Sequence, residues 1–152
     1  DATKYRLTTF GVGNLAENWD VMPQFVYSVN DNPYGREDTR TKIKTGARLV
    51  NYLTDHFSMQ YEYGFESLNR DYHHGFGGDE TSVSLNKITV APTIKWDSGF
   101  WSRPEIRFFV SYFKLSGEDE IKYDWGNDPL GAAVPNDENT TMTYGVQTEL
   151  WW

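Results

Sequence analysis

From Phe57 to Glu66 every odd position is large and apolar or aromatic, and every even position is polar or glycine. A β-strand sends successive side chains to opposite faces, so this stretch reads as a strand with one greasy and one wet side. The same period of two runs through Lys87 to Trp96, Pro104 to Lys114 and Thr141 to Trp152. It is weaker over Lys4 to Gly13, Trp19 to Ser28 and Thr41 to Leu53. Helical periodicity is hard to find. The pattern predicts an all-β chain of about seven strands, each near the roughly 9–11 residues that cross a bilayer at a tilt.

The connections sort into two kinds. Asn14 to Asn18, Thr54 to His56 and Asp97 to Arg103 are short. Val29 to Arg40, Asn69 to Ser84 and Ser116 to Thr140 are long and polar, and the two kinds alternate strictly. Tight turns at one end and long loops at the other are the asymmetry of an outer-membrane barrel, with short periplasmic turns and long external loops. No linker or repeat interrupts the pattern, so residues 1–152 read as a single β-barrel segment. An odd strand count leaves the first and last strands running the same way. The expected object is therefore an arc of transmembrane antiparallel β-barrel wall with unpaired edges, not a closed barrel.

The faces support that reading. Ile88, Val90, Pro92, Ile94 and Trp96 share one face of their strand, as do Ile106, Phe108, Val110 and Tyr112 on the next. Trp19, Phe57, Trp96 and Trp152 fall on this outward face near the short turns. Tyr27, Phe65 and Tyr112 fall on it near the long loops. Two aromatic belts around an aliphatic band form a membrane girdle. Aromatic residues reach 16%, with Trp 6 and Tyr 10. The opposite face carries Lys44, Arg48, Glu62, Glu66, Lys87, Lys95, Glu105, Arg107 and Glu149. This mixture of signs suits hydroxyl-rich neutral solutes and ion pairing between adjacent strands, with Arg107 and Glu149 placed to pair.

Composition narrows the function. The formal net charge of -8 argues against nucleic acid as a partner, and the absence of cysteine excludes thiolate metal sites and cysteine nucleophiles. The polar start at residue 1 gives no sign of a signal peptide. His73-His74 sits in a glycine-rich loop and reads as solvated, so neither a metal nor a cofactor is expected. The acidic 116–140 loop reads as a solvated face that could also bridge to lipopolysaccharide through divalent cations. No nucleophile elbow or phosphate loop is present. On parity Trp151 faces the lumen, where a flat apolar group such as a sugar ring would stack on it; the competing reading is a girdle or C-terminal recognition residue. Two other classes compete with a channel: a small outer-membrane barrel enzyme, and a soluble β-sandwich lectin-like module.

Particular residues then become recognisable. Asn86 to Pro92, Gly99-Phe100-Trp101-Ser102-Arg103-Pro104-Glu105-Ile106-Arg107-Phe108-Phe109 and the ending Tyr144 to Trp152 resemble the maltoporin family. Ala132-Ala133-Val134-Pro135 is similar to part of that family's last external loop, and weaker likeness runs through Asn18-Trp19-Asp20 and Met59 to Ser67. The resemblance covers the chain as the C-terminal third or so of a family member. It implies the C-terminal arc of a trimeric outer-membrane porin of about 18 strands per subunit, passing sugars such as maltodextrins by facilitated diffusion along an aromatic slide. The family comparison puts Trp101 and Trp151 at the periplasmic end of that slide; on strand parity Glu105, Arg107, Glu149, Glu62 and Arg48 are further pore-lining groups. The implied partners are oligosaccharide, the lipid bilayer with its lipopolysaccharide, two more subunits, and barrel strands from the N-terminal part or another chain.

Overall fold

The computed structural model describes residues 2–31, 38–72, 81–117 and 139–150. They form one antiparallel sheet: β1 (Thr3–Phe10), β2 (Gly13–Ala16), β3 (Trp19–Asp31), β4 (Asp38–Thr54), β5 (Phe57–Tyr72), β6 (Thr81–Lys95), β7 (Glu105–Gly117) and β8 (Thr140–Glu149). Their order in the sheet is their order in the chain, except that β1 and β2 both pair with β3. Among the described residues β1 pairs only with β3 and β8 only with β7, so the sheet is open at both edges.

Eight elements stand where about seven were expected, because the first strand is broken. β1 lies against Gln24 to Asp31 and β2 against Trp19 to Val21. Between them Gly11 donates its N–H to the Pro23 carbonyl at 3.3 Å. Pro23 has no N–H to return, so the ladder loses a rung there. Pro92 acts alike: the β6–β7 ladder skips Ala91 and Pro92 and resumes in the same register at Thr93.

The strands are also longer than expected, 13 to 17 residues from β3 to β7. The outward face shows why. On β5 its positions run Phe57, Met59, Tyr61, Tyr63, Phe65 and then Ser67, Asn69, Asp71. On β6 they run Ser82, Ser84, Asn86 and then Ile88 to Trp96. The apolar stretch is about nine residues, roughly 27 Å along a strand and about 20 Å across at a tilt near 40°. The remainder of each long hairpin is polar on its outward face and needs no lipid.

Burial is inverted relative to a water-soluble sheet. Outward-facing Tyr144 is 85% exposed and Trp96 72%, with Ile88, Phe108 and Val146 also exposed. Inward-facing Gln60 and Glu105 are each only 2% exposed, and Thr93, Ser111, Lys95 and Arg107 are buried with them. A sandwich would hide the apolar face beneath a second sheet. Here the described residues make a single layer, which places the greasy face against lipid. Among the described residues of the strands, charged side chains on the outward face occur only at Asp31, Asp71 and Lys114, all at the long-loop end.

The inner face is not polar throughout. Leu68, Val83 and Leu115, with Leu85, form a buried apolar cluster near the long-loop end. Phe109 lies across Gly145, directly opposite on β8, where an added Cβ would come within 2.9 Å of its ring.

Candidate functional site: the charged inner face

At the short-turn end of the inner face, charged side chains from β4 to β8 converge. Glu105 and Glu149 are direct cross-strand partners, and so are Arg48 and Glu62. Arg48 Nε lies 2.7 Å from Glu62 Oε1, and Arg107 Nη1 reaches the same oxygen at 2.8 Å. Arg107 Nη2 is 3.4 Å from Glu149 Oε1 and also donates to Gln147 Oε1 at 2.9 Å. Gln60 joins the halves: its Nε2 donates to Glu105 at 3.1 Å, and its Oε1 accepts from Arg107 at 3.1 Å. Lys95 Nζ is 3.6 Å from Glu105 Oε2. Nearer the long loops, Lys44 and Lys42 flank Glu66 at 2.8 and 3.3 Å.

The network also holds the turn that carries Trp101. Lys95 Nζ donates to the Gly99 carbonyl at 2.7 Å, and Arg103 Nη1 donates to the carbonyls of Phe100 and Ser102 at 3.2 and 2.8 Å. Arg103 is anchored in turn, with Nε on Glu149 Oε2 at 2.9 Å and Nη1 3.3 Å from Glu105 Oε2. Lys95 rises from the inner face and Arg103 reaches back from the turn to Glu105 and Glu149 on it, so the turn is tied to that face. Phe100 is buried, and Trp101 stands edge-on to it with ring centres 5.1 Å apart, 57% exposed.

All five expected polar residues, Arg48, Glu62, Glu105, Arg107 and Glu149, thus lie on one face in one connected network. Trp101 sits beside it, on the turn rather than on a strand. Trp151 and Trp152 lie outside the described residues, as do His73-His74 and most of the acidic 116–140 loop. Among the described residues no three His, Asp or Glu side chains group as a metal site. Sequence reading missed Arg103 and Gln60. Arg103 lies in a turn, where alternation carries no information. Gln60 is a neutral inward position on β5, and only three-dimensional register shows it between opposite charges.

A single layer with an apolar outer face and a charged, hydrogen-bonded inner face defines a wall of a β-barrel membrane protein. The profile of the LamB porin family matches residues 1–152, and the chain belongs to that family. It is similar to a maltoporin of Hahella chejuensis, 28% identical over 97% of this chain and 32% of that protein. It is also similar to a maltoporin of Vibrio cholerae serotype O1, 25% identical over all of this chain and 37% of that protein. The chain thus spans about a third of the length of the curated relatives it matches. The family is one of porins, not enzymes.

Proposed function

We propose that this chain is the C-terminal part of the wall of an outer-membrane channel through which carbohydrates diffuse. The single observation that carries the reading is the inverted burial: charged and amide groups packed on one face, bare aromatics and aliphatics on the other. In the assembled protein the outward band meets lipid, the remaining strands come from the rest of the polypeptide, and the subunits associate as trimers. The long loops face outward, beside lipopolysaccharide.

Trp101 and Trp151 serve as stacking platforms for sugar rings at the periplasmic mouth. Trp101 suits this role because its turn is tied down by Lys95 and Arg103 while the ring itself is exposed. Glu62, Glu105, Glu149, Arg48 and Arg107 line the same end, where they exchange hydrogen bonds with hydroxyls. The mechanism is passive, with no bond made or broken.

The test uses the complete porin in planar bilayers. Maltooligosaccharides should block its ion current. Trp101→Ala or Trp151→Ala should weaken that block about fivefold, the loss of one aromatic contact. A protein that forms no channel, or a channel indifferent to maltooligosaccharides, refutes the reading.

A further inference from the structure

A second feature of the inner face lies away from the Trp101 turn. A cavity of about 440 Å³ is lined from six strands, including Arg6, Lys44, Arg48, Glu62, Glu66 and Lys87. Its floor is open at Gly64 on β5, which carries no side chain into it. An added Cβ at Gly64 would meet nothing nearer than the Lys87 Cβ at 3.9 Å, and Lys87 is its partner on β6.

The charges in this cavity do not balance. Glu66 is flanked by Lys42 and Lys44, and Glu62 by Arg48 and Arg107, so each carboxylate already answers to two cations. Lys87 and Arg6 have no carboxylate within ion-pair distance among the described residues. Lys87 Nζ sits 5.7 Å from the centre of the Phe113 ring, which also lines the cavity. Arg6 Nε donates to the Thr8 hydroxyl at 3.3 Å. The chain as a whole carries -8, so this cationic excess is local. Its volume falls within the range of small-molecule sites.

We infer that this cavity is a binding site for an anionic saccharide, with Lys87 receiving a phosphate or carboxylate group, Phe113 flanking the sugar, and Arg6 adding a further cation to the cavity from β1. The inference rests on the channel reading only in taking the inner face as the lumen. A charge-assisted bond from the Lys87 ammonium selects an oxyanion over a hydroxyl, and Gly64 leaves room for it beside Lys87.

The experiment is equilibrium binding to the full-length protein in detergent and phosphate-free buffer, by calorimetry. The probes are glucose, glucose 6-phosphate, glucuronate and inorganic phosphate. Glucose 6-phosphate or glucuronate should bind about tenfold more tightly than glucose. Lys87→Gln and Arg6→Gln should each reduce that preference, and Lys87→Arg should retain it; trimer mobility on unheated gels shows that each variant is assembled. Equal affinity for glucose and both charged sugars overturns the inference, even if the protein conducts. Inorganic phosphate binding as tightly as glucose 6-phosphate also overturns it, since the sugar then contributes nothing. A tenfold preference that vanishes in Lys87→Gln upholds the site even if bilayer currents are absent, which would refute the channel reading alone.

Discussion

Glu105 and Glu149 are direct partners across the β7–β8 ladder, two like charges in the position where repulsion is strongest. The arrangement persists because Arg103 and Arg107 each touch both carboxylates. Two guanidiniums, one from a strand and one from a turn, convert a repulsive pair into a clamp.

Removing Arg107 should therefore cost far more than removing a typical ion-pair partner. Arg107 is 5% exposed and touches Glu62, Glu105 and Glu149, as well as Gln60 and Gln147. Arg107→Ala should destabilise the folded protein by about 3–5 kcal/mol, the usual cost of leaving a buried charge unpaired. Arg48→Ala, which removes one partner from Glu62 and leaves Arg107 in place, should cost much less. Urea titration of the full-length protein in detergent, followed by tryptophan fluorescence, ranks the two; equal losses would contradict the network.

The two faces of β7 and β8 should answer oppositely to charge. Val110 is exposed in the middle of the outward band, whereas Thr143 points inward. Val110→Arg should cost about 2–4 kcal/mol in a bilayer and lower the amount of assembled protein. Thr143→Arg should assemble nearly normally. Heat-modifiable gel mobility of membrane fractions measures both.

Gly46 and Gly64 are cross-strand partners with different tolerances. A Cβ at Gly46 would come within 2.4 Å of the Tyr63 carbonyl oxygen, a backbone atom that cannot swing away, whereas Gly64 has free space. Gly46→Ala should destabilise by about 1–3 kcal/mol, as overpacking does, and Gly64→Ala by less than 1 kcal/mol, roughly the scale of a tolerated change. The same urea titration distinguishes them.

The alternation of short and long connections predicts the orientation in the membrane. Cysteine introduced at Gly77 or Asn127, in long loops, should react with an impermeant maleimide on intact cells. Cysteine at Asp55, in the tight turn between β4 and β5, should react only after the outer membrane is opened. Equal labelling of all three on intact cells would reverse or void the assigned topology.

The sequence-to-structure correspondence is close wherever side-chain alternation is the governing rule. Phe57 to Phe65, Ile88 to Trp96 and Ile106 to Tyr112 face outward as their parity requires, because a one-residue slip would bury every charge in lipid. Element ends were less legible. Thr39, Arg40, Asn69 and Asp71 read as loop because both faces are polar there, yet all four continue their strands. Outside the membrane, pairing no longer demands a greasy side. The clamp was half legible: parity put Glu105, Arg107 and Glu149 on one face, but Arg103 joins from a turn with no parity. The Leu68–Val83–Leu115 cluster was also hidden, since apolar residues on a lumen face defy the pattern used to find that face.

The sheet's order has a kinetic consequence. Every substantial contact between strands is between ladder neighbours, and apart from the broken first strand these are also neighbours in sequence. Each strand can thus form as one half of a hairpin with the strand just made, at an entropic cost of loop closure that rises only slowly with loop length. Growth needs no chain crossing and no distant partner, only an open edge on which to lay the next strand. The exposed margins at β1 and β8 are then the two places where the wall can be extended, one hairpin at a time, as it enters the bilayer.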